Sequence, residues 1–146
     1  MLRFEGDREF RQPPAAVFAK LSDARFLVSC VPDVDSVAHA DASAATLTIR
    51  PGFAFIRGTL ELALQIADRV EPTDLKVLLH SKGIGSSSDV EAALHLTAEG
   101  EGTKVHWVAE VRQLGGLLKL VPSGLIRGAA AKVIEDVWKN VEARMG

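Results

Sequence analysis

The spacing of apolar residues changes once along this chain, and that change constrains the fold more than any other feature. Up to about residue 113, most segments alternate apolar and polar residues with the period of two that half-buried strands show. From Ser123 onward the period is that of a helix, with Ile126, Ile134 and Trp138 on one stripe. A helix of about 23 residues would be roughly 34 Å long, enough to cross a whole small sheet.

The segments with strand periodicity are separated by turn-forming residues. Residues 2–11 form the first predicted strand, and Pro13-Pro14 ends it and favours a short helix. Ser22 or Asp23 can cap a second short helix, which Pro32 ends. The other predicted strands are residues 34–40, 44–50, 57–68, 74–83, 88–98 and 103–113. Because the connections between these strands are short, we expect them to form one antiparallel sheet.

Length and composition favour a single cytoplasmic domain over residues 1–146. The formal net charge of −2 provides no basic excess for general nucleic-acid binding. Cys30 is the only cysteine, so no disulfide forms within one chain. The N-terminus is rich in charged residues rather than signal-like, and no stretch reaches the ~20 apolar residues that span a bilayer. We therefore expect neither export nor a transmembrane segment.

These elements predict an α+β helix-grip fold, in which a curved seven-stranded antiparallel sheet closes over the long C-terminal helix. A strongly curved sheet and a straight helix leave space between them, so we expect an apolar cavity there. Its predicted lining contains few groups capable of acid, base or nucleophilic chemistry, and we expect no cofactor. The predicted lining residues are Arg8, Cys30, Leu62, Leu64, Leu79, Ser81, Leu94, Trp107, Ala109, Ile134 and Trp138.

Three of these residues carry polar or reactive groups. Arg8 shares the inward phase of Phe4 and Phe10, so it either anchors a polar head group or reaches water at a bulge or strand end. Cys30 is expected to be a small buried hydrophobe rather than a nucleophile, because no inward histidine is available to activate it. Ser81 is a possible orienting group for a substrate.

Histidines provide the only candidate metal ligands. His80, His95 and His106 have the outward phase of their strands. If the last hairpin pairs Ala98 with Thr103, then His95 lies directly opposite His106. Two histidines make a weak metal site, and a surface pair without function is the favoured interpretation.

Two segments with unusual composition remain. Residues 83–88 are rich in glycine and serine, which predicts a flexible hairpin at the cavity mouth. The strip 114–121 is apolar with little polar face, and it is either core, a lid, a protein contact or a membrane contact. The sequence contains no phosphate-binding glycine loop, no zinc helix motif and no nucleophile elbow.

Several stretches resemble the CoxG-like family of carbon monoxide dehydrogenase proteins, within the START-like, polyketide-cyclase-like and birch-pollen-allergen-like superfamily. These are Phe4-Glu5-Gly6, Pro13-Pro14 with Val17-Phe18, Leu21-Ser22-Asp23, Leu27, Cys30-Val31-Pro32, residues 55–62 and the entry to the last helix from Leu114 to Ala131. The resemblance implies a helix-grip fold with a deep hydrophobic pocket. It also implies an accessory role for a molybdenum-containing carbon monoxide dehydrogenase, in maturation or membrane recruitment. Many members have an apolar C-terminal extension, whereas this sequence ends at Gly146, so the strip near Leu117 is the candidate membrane contact.

Three functional hypotheses follow. The leading one is a non-enzymatic protein that binds a small apolar or quinone-like molecule, serves the dehydrogenase, or does both. The second is an enzyme of the cyclase or hydrolase type that uses Arg8 or Ser81 in the same cavity. The third is an interaction module that docks on a dehydrogenase or a chaperone through the strip 114–121.

Overall fold

The structure is a computed structural model, and it describes residues 2–52 and 57–146. Seven strands form one sheet in the order β1-β7-β6-β5-β4-β3-β2, and all neighbours are antiparallel. The strands are β1 (Leu2–Phe10), β2 (Val34–Ala40), β3 (Ala44–Ile49), β4 (Leu60–Val70), β5 (Asp74–Gly83), β6 (Ser86–Glu99) and β7 (Gly102–Gly116). The helices are α1 (Pro14–Leu21), α2 (Ala24–Cys30) and α3 (Ser123–Met145), with a 3₁₀ helix at Leu117–Leu120. The predicted α+β helix-grip architecture is confirmed.

The two short helices connect opposite edges of the sheet. β1 and β2 are the edge strands, so α1 and α2 carry the chain from one edge to the other. Pro14 begins α1, and Val17, Phe18 and Leu21 are buried as the sequence predicts. Asp23 caps α2, since its carboxylate accepts a hydrogen bond from the backbone N–H of Arg25 at 2.9 Å.

Several predicted boundaries were wrong. β4 begins at Leu60 rather than residue 57, after Gly58, which has a φ of +110°. The predicted flexible hairpin at 83–88 is instead a tight two-residue turn at Ile84-Gly85, with φ of 53° and 67°. Both strands of the following hairpin are longer than predicted, so β7 includes the first part of the apolar strip as far as Gly116.

The C-terminal half of α3 is fastened firmly to the rest of the domain. Trp138, Val141 and Met145 are buried in the core. Lys20 Nζ donates to the backbone carbonyls of Arg144 and Met145 at 3.0 and 2.8 Å, which satisfies acceptors left free at a helix C-terminus.

The N-terminal half of α3 is covered much less. Between Ser123 and Val137, only Ile126 is buried. The helix is therefore anchored at one end and lies more openly over the sheet at the other. None of the helices in residues 2–52 and 57–146 combines the length and the apolarity needed to cross a membrane.

Candidate functional site

The concave face of the sheet is apolar, and part of it is not closed off by α3. Towards α1 and α2, inward residues such as Leu75, Leu96 and Val105 are at most 2% exposed. Elsewhere on the same face, inward aliphatic side chains are only half-buried and pack against the edge of the core. We call this region the concave groove and define it by Leu62, Leu79, Ala92, Ile134 and Val137.

Strand register makes this region continuous. Ala92 pairs with Val77 on β5 and with Ala109 on β7, whereas Leu79, two residues from Val77, pairs with Leu64 on β4. Because every second residue of a strand shares a face, these side chains form one apolar surface across four strands. Ile134 and Val137 lie on the inward side of α3. An apolar, partly open surface of this kind can bind a lipophilic molecule.

The predicted lining residues divide into two groups. Leu62, Leu79, Ser81 and Ile134 are half-buried in the open part of the concave face. The others lie deeper: Leu64, Leu94, Trp107, Ala109 and Trp138 are buried core residues. The buried group forms the floor and the closed end of the interior rather than its accessible wall.

Arg8 points inward, toward α3. Its guanidinium donates to Glu135 Oε2 at 2.5 Å and to Glu142 Oε1 at 3.1 Å, and lies 5.9 Å from the centre of the Trp138 ring. Only 20% of its side chain is exposed. The two carboxylates occupy its donors, so Arg8 ties β1 to α3 and is not free to anchor a ligand carboxylate.

The sequence prediction missed Glu135 and Glu142. Both were assigned to the polar side of the helix, away from its apolar stripe. They are seven residues apart and therefore project from nearly the same side, on either side of Trp138. An inward Arg opposite a helix with this spacing is a signal that could have identified the pair.

Replacing Arg8 with Met should lower the free energy of unfolding by about 1–2 kcal/mol, because it leaves two carboxylates beside an apolar surface without a partner. Arg3→Met is a matched control, since Arg3 is on the same strand but its side chain is 56% exposed and its pairing with Glu5 is at 3.5 Å. Urea denaturation measures both changes. Equal effects of the two substitutions would show that the Arg8 contacts contribute nothing beyond a surface ion pair.

Trp107 carries an unpartnered polar atom in the interior. Its side chain packs against Trp138 with ring centres 6.0 Å apart. Among residues 2–52 and 57–146, its indole Nε1 is the one buried side-chain nitrogen or oxygen without a hydrogen-bond partner. Most buried polar atoms in proteins have partners, so this exception calls for an explanation.

The remaining candidate groups are engaged or inert. Ser81 Oγ lies 2.5 Å from Ser88 Oγ across the β5–β6 pair, so each hydroxyl has a partner. Cys30 is fully buried at the end of α2, where burial raises the pKa of its thiol. Its backbone carbonyl accepts from Asn140 Nδ2 at 2.9 Å, so its place in the structure is a packing site. A thiol with a raised pKa is a poor nucleophile.

The histidines lie on the outer face, and the predicted pairing of His95 with His106 is confirmed. The two rings bind different carboxylates: His95 Nδ1 lies 2.9 Å from Asp74, and His106 Nδ1 lies 2.9 Å from Asp7. Hydrogen bonds from Thr73 and then His95 lower the pKa of Asp74. Within the described part of the chain, no three His, Cys, Asp or Glu side chains converge in a way that could hold a metal ion.

The outer face of the sheet carries two shallow depressions of about 430 and 240 Å³. The larger has Ala63 and Leu78 on its floor, and its rim includes the ion pair between Arg112 and Glu91. Both depressions are open to solvent, and charged side chains around them pair with one another. The concave groove, which is apolar and partly enclosed, is the better candidate for a ligand.

An exposed apolar patch lies beside the turn that joins β5 to β6. We call it the mouth patch and define it by Ile84, Leu117, Leu120 and Leu125, whose exposed fractions are 40, 56, 80 and 54%. The backbone N–H of Leu117 donates to the Gly85 carbonyl at 2.9 Å, which fixes the 3₁₀ helix against the turn. Leu118 in the same turn points inward and is 8% exposed. The apolar strip is thus part core and part exposed surface.

Solved structures with the same fold come from several bacteria. A conserved protein from Geobacillus kaustophilus has a TM-score of 0.85 at 21% identity, with 99% of this chain and 95% of that chain covered. A START superfamily protein from Mycobacterium smegmatis has a TM-score of 0.70 at 12% identity, with 98% and 96% covered. An AHSA1 protein from Silicibacter pomeroyi has a TM-score of 0.67 at 13% identity, with 99% and 97% covered. At these identities the likeness shows the fold alone.

Sequence comparison with families gives a more specific result. No curated protein matches the chain significantly. The CoxG family of carbon monoxide dehydrogenase proteins matches residues 6–146, nearly the whole chain. Of the stretches that carry the resemblance, Phe55 and Ile56 lie outside the described residues, whereas the Gly6, Val17-Phe18 and Cys30 stretches form β1, α1 and α2. The chain belongs to the carbon monoxide dehydrogenase CoxG family.

Proposed function

We propose that this protein binds a small lipophilic molecule, of the apolar or quinone-like class, in the concave groove without transforming it. The observation that supports this proposal is the half-exposed aliphatic surface on the inner face of the sheet, including Leu62, Leu79 and Ala92. In water, such a surface is costly to leave uncovered, and a lipophile that covers it gains free energy in proportion to the area buried.

The chemistry of the interior favours binding over catalysis. The Arg8 guanidinium is held by two carboxylates, Ser81 by Ser88, and the Cys30 thiol is buried with a raised pKa. General acid-base catalysis needs a group that can reach the substrate and exchange a proton near neutral pH. The enzyme alternative, a cyclase or hydrolase in which Arg8 orients the substrate, requires turnover of polyketide or ester substrates that an Arg8→Ala variant loses.

Titration with acetylnaphthalene, a small apolar fluorophore whose emission depends on polarity, tests the binding proposal. We expect a blue shift of its emission that saturates at one molecule per chain, because the groove replaces water around the probe with aliphatic groups. The absence of saturable binding to the folded protein would refute the proposal.

We also propose that the protein serves a molybdenum-containing carbon monoxide dehydrogenase as an accessory, in its maturation or its recruitment to the membrane. Family membership supports this role. The mouth patch supports it independently, because a cluster of exposed leucines beside a ligand groove is typical of an interaction surface. Docking at this place would bring the opening of the groove to the partner.

A double variant, Leu117→Ser with Leu120→Ser, should abolish capture of the dehydrogenase in a pull-down while leaving the fold intact. Both side chains are more than half exposed, so their loss removes contact area without opening the core. Lys119→Ser in the same turn is the control and should retain most of the binding. Undiminished capture by the double variant would exclude the mouth patch as the docking surface.

A further inference from the structure

The interior has a hydrogen-bond donor that nothing in the described chain uses. Trp107 is 8% exposed, and its indole Nε1 has no partner. A buried N–H without an acceptor is unfavourable in an apolar interior. The usual way to keep such a group is to supply an acceptor from outside the chain.

A gap in the opposite strand lies next to this donor. Gly6 pairs with Trp107 across β1 and β7, and it is the one inward position of β1 without a side chain, between Phe4 and Arg8. A methyl group at residue 6 would lie 3.3 Å from Nε1 and 3.1 Å from Cζ2 of Trp107. An oxygen atom near that point would be close to hydrogen-bonding distance from the indole nitrogen. Glycine is therefore the residue that leaves room beside the donor.

This donor adjoins the concave groove. Trp107 is two residues from Ala109, which pairs with Ala92 in the groove. The Trp138 ring, which packs on Trp107, is one helical turn from Ile134. A lipophile in the groove therefore needs to extend by one row of side chains to bring a polar atom to Nε1.

We propose that the ligand of the concave groove is a lipophile that carries a hydrogen-bond acceptor, such as a carbonyl oxygen, and that Trp107 Nε1 donates to that acceptor. The inference rests on the proposed lipophile binding and adds a chemical requirement to it. An aliphatic wall selects for apolarity alone, whereas one fixed donor in that wall also selects for the position of an oxygen.

Two probes of nearly equal shape separate the contributions. Acetylnaphthalene carries a carbonyl, and isopropenylnaphthalene has a methylene group in place of the oxygen. The chain has two tryptophans, so a ¹H–¹⁵N spectrum contains two indole signals, which Trp138→Phe assigns. We expect acetylnaphthalene, but not isopropenylnaphthalene, to move the Trp107 indole proton downfield. This arm uses the wild-type protein and needs no substitution in the core.

Affinities provide the second arm. In the wild type, acetylnaphthalene should bind about five- to tenfold more tightly than isopropenylnaphthalene, the ratio expected for one hydrogen bond in an apolar site. Trp107→Phe should reduce that ratio to about one, whereas Trp138→Phe, which removes an indole from the same interior, should change both affinities alike.

The outcomes distinguish the two levels of the proposal. If both probes bind with equal affinity and neither moves the indole signal, the assignment of Trp107 as the ligand's donor is wrong, although lipophile binding stands. If neither probe binds, both the assignment and the proposed function fail.

Discussion

Replacing Ala92 with Trp should abolish binding of acetylnaphthalene, with the dissociation constant rising by roughly 100-fold or more. Ala92 lies on β6 in the middle of the concave groove, where its small side chain leaves the face open. A Trp side chain there would occupy the volume that a ligand needs, and it would cover the same aliphatic surface. Fluorescence titration measures the loss.

The next residue along the strand provides a matched control. Ala93 is exposed on the outer face, where it lies beside Val108. Ala93→Trp makes the same chemical change one residue away, but it places the indole on the opposite side of the sheet. It should leave the affinity within about twofold of the wild type. Binding that survives Ala92→Trp, or that Ala93→Trp abolishes, would move the site off the concave face.

Replacing Trp138 with Ala should lower the free energy of unfolding by about 3–5 kcal/mol, a large fraction of the stability of a domain of this size. Trp138 is 7% exposed and packs against Phe10, Trp107 and the Arg8 guanidinium. Its removal leaves a cavity at the point where α3 joins the sheet. Urea denaturation followed by circular dichroism measures the change.

Lys139→Ala is the control for this substitution. Lys139 is the adjacent residue of α3 and is exposed, so the change should stay within about 0.5 kcal/mol of the wild type. A loss below about 1 kcal/mol for Trp138→Ala would mean that α3 is not held to the sheet by this side chain, contrary to its packing against three neighbours.

Much of the architecture could be predicted because strand phase and turn length determine it. The two-residue turn after Glu99 fixes the pairing of Ala98 with Thr103, and every later pair of the β6–β7 hairpin follows, including His95 with His106. The stripe on α3 that contains Ile126, Trp138 and Val141 is buried as its spacing indicates. These features depend on local chemistry and periodicity, which a sequence records directly.

Details of the candidate site depend on contacts between residues far apart in the chain. Phase showed that Arg8 points inward, but its partners lie 127 and 134 residues further on, and only the docking of α3 brings them together. The unpaired Trp107 nitrogen likewise follows from what does not reach it in three dimensions. Inward phase alone could not separate the half-buried Leu62 from the buried Leu64, because the coverage by α3 decides that difference.

Native mass spectrometry of the protein, purified without detergent, tests lipophile binding in the concave groove most directly. We predict a species heavier than the bare chain by the mass of one small organic molecule, which organic solvent releases and which the Ala92→Trp variant lacks. A bare chain in every preparation, together with no uptake of acetylnaphthalene by the folded wild type, would contradict lipophile binding.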